Sequence, residues 1–244
     1  MKSILRTLII LIFFLSTSTW PQSLDEIYIN EWKKFYPSKS LSKGIHASIF
    51  QFEDFSTENI NKWLDFHEQF LKELSKPGAN IDEIDSRLLY VQILSEIDQW
   101  KTLSLHSSSL SLYTRIISNA IDPVLKADYL IATEKIDLIC QRLNDVNEIC
   151  NAAKNNLKIV PEDDLQRGIN SLNSTLEFYK NDLSQTLEND VSTLKCSEFD
   201  MNLENVIKNI EELLSFANNN LSPKASKPEK IIGYNEYARR LKLY

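Results

Sequence analysis

Leu165, Ile169, Leu172, Leu176, Tyr179, Leu183 and Leu187 recur at steps of three and four residues, and no other feature constrains the chain as strongly. On an α-helix that spacing gathers all of them onto one face. On a strand, which alternates every second residue, it would scatter them over both faces. Pro161, followed by Glu162, Asp163 and Asp164, marks the start of this helix. Pro fits the first turn, and acids favour the positive end of the helix dipole. The pattern repeats in 56–74 at Ile60, Trp63, Leu64, His67, Phe70, Leu71 and Leu74, and in 126–157 at Ile139, Leu143, Val146, Cys150, Ala153 and Leu157. Stripes of this kind are buried only against one another. The chain has 4 glycines in 244 residues, too few for a succession of tight hairpins or phosphate-cradling loops. The expected fold is therefore all-α, an array of about seven packed helices.

The remaining helical segments are less regular. Ser23 and Glu26 stand in capping-box spacing at the head of 23–37, with Leu24, Ile27, Trp32 and Phe35 on one face. Residues 38–55 hold no clean helical period and read as an ordered loop. The segment 81–105 is apolar on more than one side, which predicts a central, buried helix. A shorter helix spans 107–125 and breaks at Pro123, and 201–221 carries another stripe. The expected domain organisation is a segment 1–22, a helical domain 23–221, a Pro/Lys linker 222–230 and the start of a further helix at 231–244.

The first residues are a targeting segment. Lys2 and Arg6 precede the apolar run 7–15, and 16–23 supplies small residues for cleavage. That is the order of a secretory signal peptide, and the run is shorter than the roughly 20 residues that span a bilayer. Export to the periplasm or the exterior follows. Without Lys2 and Arg6 the chain keeps 25 basic against 34 acidic side chains, a net charge of −9 that disfavours nucleic acid as a partner. Cys140, Cys150 and Cys196 have neither zinc-knuckle nor disulfide-framework spacing. Cys140 and Cys150 sit ten residues apart on one helix, ~15 Å, too far to bridge each other. Buried free thiols are the expectation for these cysteines, with a bond from Cys196 to one of the others as the alternative.

His67-Glu68 is the one pair that suggests metal chemistry. A helix-borne zinc site needs a second ligand one turn on, and that position is Leu71. The other histidines, His46 and His106, lie far away in sequence. His67 shares its stripe with Trp63, Leu71 and Leu74, so a hydrogen-bonded core histidine is the better reading. No nucleophile elbow, P-loop or dinucleotide fingerprint occurs. The run Ser107–Ser111 reads as a polar break. No residue qualifies as catalytic, cofactor-binding or metal-binding, and no cofactor is expected.

Several segments in order resemble one family. They are "FYPSKSLSKGI", "WLDFHEQFLKEL", "DEIDSRLLYVQILSEID", "RLNDVNEICNAAKNNL", "EDDLQRGINSLNSTLEFY" and "IIGYNEYARRL", the last with Gly233, Tyr237 and Leu241 at four-residue steps. Together they look like the N-terminal half of the bacterial domain-of-unknown-function family 885. That resemblance covers residues 25–244. It implies an exported helical protein related to zinc metallopeptidases, whose metal motif falls in a second half beyond this region. The matched positions Asp85, Leu89, Arg142, Leu143, Gly233 and Tyr237 are then structural. The implied function is a non-catalytic N-terminal lobe; the alternative is an exported helical module that binds a peptide or a protein partner. The implied partners are a peptide or the C-terminal catalytic half, with the membrane met only through the signal segment.

Overall fold

The computed structural model describes residues 22–191, 198–226, 238 and 241. Residues 1–21, which hold most of the expected signal segment, residues 192–197 and most of 227–244 lie outside the described residues, Gly233 and Tyr237 included. Seven long helical rods make up the described residues: α1 (Leu24–Phe35), α3 (Thr57–Leu74), α4 (Glu83–Ile97), α6 (Leu110–Ser118), α8 (Ala132–Asn156), the pair α9 (Glu162–Glu177) and α10 (Leu183–Val191), and α11 (Phe199–Phe216). Short helices α2 (Pro37–Ser42), α5 (Leu105–Ser108) and α7 (Asp122–Leu125) fill the corners. No strand occurs among the described residues, and the fold is all-α. None of the described helices is long and apolar enough to cross a membrane.

The periodic stripes become the core. α8 packs against α11 and α6, and α9 against α6 and α11. Leu143, Val146, Ile149, Cys150 and Ala153 on α8 are buried, and so are Leu165, Leu172, Tyr179 and Leu183 along the α9–α10 rod. One π-turn at Phe178–Asp182 joins α9 to α10 without breaking the rod, so the stripe continues across it. Gly168 allows α9 to approach α6 closely: a Cβ there would sit 2.5 Å from Leu110 Cγ. Residues 222–226 are not free of the array. Ser222–Lys224 form one 3₁₀ turn, and the Ser226 N–H donates to the Val160 carbonyl while the Glu162 N–H donates to that of Ser226.

Several local expectations change. The 38–55 stretch holds α2 and a 3₁₀ turn at His46–Phe50. Pro37 starts α2 because its fixed φ suits a first helical turn. The Ser23 hydroxyl caps no N–H of α1, whereas Ser56, Asp82 and Ser109 do cap α3, α4 and α6. α8 begins only at Ala132. The serine run has a structural use. Ser104 takes a left-handed φ of 48°, Ser107 and Ser108 donate to its carbonyl, and Ser109 and Ser111 bind Asp164 across the α6–α9 contact. Cys140 is disulfide-bonded, contrary to the free-thiol expectation, while Cys150 is a buried free thiol whose pKa burial pushes up to about 12.

The largest correction concerns α4. Only one side of it is covered: Ile93 and Glu96 are buried, and the helix meets α3 and α1. On the opposite side Ile84 and Leu88 stand 69% and 64% exposed. Two apolar faces signal a buried helix; among the described residues one of them leaves Ile84 and Leu88 open to solvent.

Candidate functional site

His67 and Glu68 part at once, the first buried and the second exposed. His67 is fully buried, its ring 4.1 Å from that of Trp63 and edge-on to it. Its Nδ1 lies 2.8 Å from the Trp63 carbonyl, which can only accept, so Nδ1 carries the proton. Nε2 then accepts from the Tyr28 hydroxyl at 3.3 Å. Burial, and after it Glu96, holds the Tyr28 phenol above its usual range, so that donor stays protonated. Burial lowers the His67 pKa to about 4, against the opposing backbone hydrogen bond. Both ring nitrogens are thus committed to the fold. Glu68 is exposed and pairs with Lys101 at 2.7 Å.

The other histidines are elsewhere. His46 packs its ring on Tyr129, and His106 stacks near Trp100. Among the described residues no group of three His, Cys, Asp or Glu side chains is placed to hold a metal ion.

Sequence reading missed the most concentrated polar feature of the core. Glu96 is 2% exposed. Its Oε2 accepts from the Tyr36 hydroxyl at 2.6 Å and from the indole N–H groups of Trp100 and Trp63 at 3.2 and 3.4 Å, and its Oε1 accepts from Gln92 at 3.0 Å. Trp100 also donates to the Tyr36 oxygen at 2.7 Å. Tyr36 at the α1–α2 junction, Trp63 on α3 and Trp100 in the π-turn Asp98–Thr102 that follows α4 are therefore buried without losing a hydrogen bond. Buried Trp and Tyr need acceptors, so a Glu on the buried face of α4 was the available signal.

The 51–56 segment runs past this core and separates two cavities. It is held from both sides. Arg142, a matched position on α8, is buried; its Nη2 donates to the Ile49 carbonyl at 2.6 Å, and its guanidinium lies 4.5 Å over the Phe52 ring. Asn156 donates to the Phe55 carbonyl at 2.8 Å and to Tyr113 at 3.0 Å. Glu53 accepts from the Ser38 N–H and hydroxyl at 2.9 and 2.8 Å. Among the other matched positions that are described, Leu143 is buried, Leu89 is half-buried and Asp85 is exposed.

The cavity on the α8 side, about 520 Å³, is lined by carboxylates and amides, among them Asp54, Asp145, Glu148 and Asn151. Burial raises the Asp145 pKa, with Arg142 opposing. The cavity on the α2 side is about 570 Å³ and differs in kind. Tyr36, Leu41, Phe55, Leu112 and Ile116 give it apolar walls, and Lys39 and Arg115 line it as cations. The first is lined mainly by polar groups, the second by apolar walls beside two cations.

A family described as bacterial protein of unknown function (DUF885) matches residues 37–244. The chain belongs to the DUF885 family. No curated protein matches it. One solved structure, described as a candidate lipoprotein of unknown function from Shewanella oneidensis, superposes with a TM-score of 0.74 at 16% identity. The match covers 90% of this chain and 41% of that one, so this chain spans less than half the length of its structural neighbour. At this identity the likeness establishes a shared fold.

Proposed function

We propose that this chain serves as the non-catalytic helical lobe of an exported, metallopeptidase-like DUF885 protein, covering a neighbouring body rather than performing chemistry itself. One observation carries the reading: the outer face of α4. Ile84 and Leu88 are exposed and one turn apart, the half-buried Val91 follows on the same face, and all three lie opposite the buried Ile93. A stripe at positions i, i+4 and i+7 is what a second packed surface reads on a helix. The length of the Shewanella structure beyond the matched share supplies room for such a body. Export is supported by Lys2, Arg6 and the apolar run that follows them, by the Cys140 disulfide, which belongs in an oxidising compartment, and by the lipoprotein description of the neighbour.

Two measurements test this reading. The purified chain should retain no zinc after dialysis and hydrolyse no peptide; one zinc per chain, lost on His67→Ala, would refute the non-catalytic part. The α4 stripe should bind a hydrophobic dye or drive concentration-dependent self-association. The double substitution Ile84→Asp and Leu88→Asp should abolish both while leaving the melting temperature unchanged. Dye binding and association untouched by that variant would remove the docking face.

A further inference from the structure

We propose that the cavity between α2, the 51–55 segment and α6 binds a monocarboxylate on an apolar body, with Lys39 and Arg115 holding the head and Leu41, Leu112 and Ile116 bedding the tail.

The charges decide the class of head group. Four charged side chains line the cavity: Lys39, Glu53, Arg115 and Asp122. Both acids are already engaged. Glu53 takes the Ser38 N–H on one oxygen and its hydroxyl on the other, and Asp122 pairs with Lys126 at 2.8 Å. Among the described residues neither Lys39 nor Arg115 makes an ion pair. Lys39 instead rests 3.7 Å over the Tyr36 ring. Burial, and also the nearby Arg115, lowers its pKa, while Glu96 and Glu53 pull the other way. Two cations that repel each other across a cavity gain from an anion placed between them. Glu53, and from behind Tyr36 the buried Glu96, already offset part of their two positive charges, so the site suits a singly charged carboxylate better than a phosphate dianion.

The walls decide the body. Leu112 and Ile116 lie one turn apart on α6, and both are nearly fully buried within the core, so this wall is rigid. Leu41 closes the opposite side from α2. A volume of about 570 Å³ lies within the range of small-molecule sites. A fatty acid and the C-terminal residues of an apolar peptide share the required chemistry. The site does not depend on the docking role of α4, which is on another face.

Calorimetry on the purified chain separates the possibilities. Decanoate should bind one per chain, decan-1-ol more weakly, and acetate not measurably. Lys39→Met and Arg115→Met keep the volume and the folded chain, which far-UV circular dichroism verifies. Each should weaken decanoate about tenfold, the scale of one charge-assisted hydrogen bond, and leave decan-1-ol unchanged. A tripeptide of apolar residues that competes with decanoate as the free acid, but not as the C-terminal amide, would support the proposal with a peptide end as the source. Competition by neither form would support it with a fatty acid as the source. Equal affinity for decanoate and decan-1-ol, decanoate binding indifferent to both substitutions, or no binding of decanoate at all would overturn it.

Discussion

Replacing Glu96 tests whether the aromatic core is organised by one buried acceptor. In Glu96→Ala the Tyr36 hydroxyl and the Trp63 N–H lose their acceptor, while Trp100 keeps the Tyr36 oxygen at 2.7 Å. Each orphaned buried donor costs ~1–3 kcal/mol. The void left by the carboxylate adds on the order of 1 kcal/mol. Against this stands the relief of no longer burying a charge, which makes some buried ions dispensable when their partners are replaced with them. Here the donors remain, so the loss dominates, and the net cost is about 4 kcal/mol. For a domain of this size each kcal/mol moves the melting temperature by ~2–4 °C, which gives a fall of about 10 °C. Glu96→Gln keeps an acceptor oxygen and forfeits only the charge-assisted part, about 1–2 kcal/mol. Thermal and urea melts followed by tryptophan fluorescence read both variants, and Trp63 and Trp100 sit within the network. An alanine variant as stable as the glutamine variant, or more stable than the parent chain, would show that the acceptor does not organise the core.

Three further outcomes follow from named contacts. Because His67 is neutral in the fold with a pKa near 4, the unfolded chain binds a proton first as pH falls; stability should decline from about pH 6.5 to about pH 4 by about 3 kcal/mol, and urea melts of His67→Leu should lack that slope. Gly168→Ala should destabilise by ~1–3 kcal/mol, although Ala is the better helix former, because its Cβ would enter Leu110; a stabilised variant would mean that α6 and α9 can separate at little cost. Asn156→Ala should cost about 2 kcal/mol and speed amide exchange in 51–56, since Asn156 pins the Phe55 carbonyl; unchanged exchange there would show that Arg142 holds the segment alone.

Periodicity alone determined the all-α class, the α9–α10 rod and the buried face of α8, because a stripe at steps of three and four has one way to be buried. It also placed His67 in the core, since the side chain shares a face with Trp63 and Phe70 whatever the helix packs against. The fate of α4 was not legible. Its two apolar faces signal two contacts, and only the packing of α1 and α3 decides that Ile93 is covered and Leu88 is not. Nor was the Glu96 network legible, because Tyr36, Trp63 and Trp100 are distant in sequence and meet at one oxygen only when three helices cross. The cavity of Lys39 and Arg115 has the same origin. Each cation reads in the sequence as an ordinary surface charge on its helix. Only the tertiary structure takes the neighbouring acids away, giving Glu53 to Ser38 and leaving Asp122 with Lys126, so that two cations with no ion pair among the described residues face apolar walls.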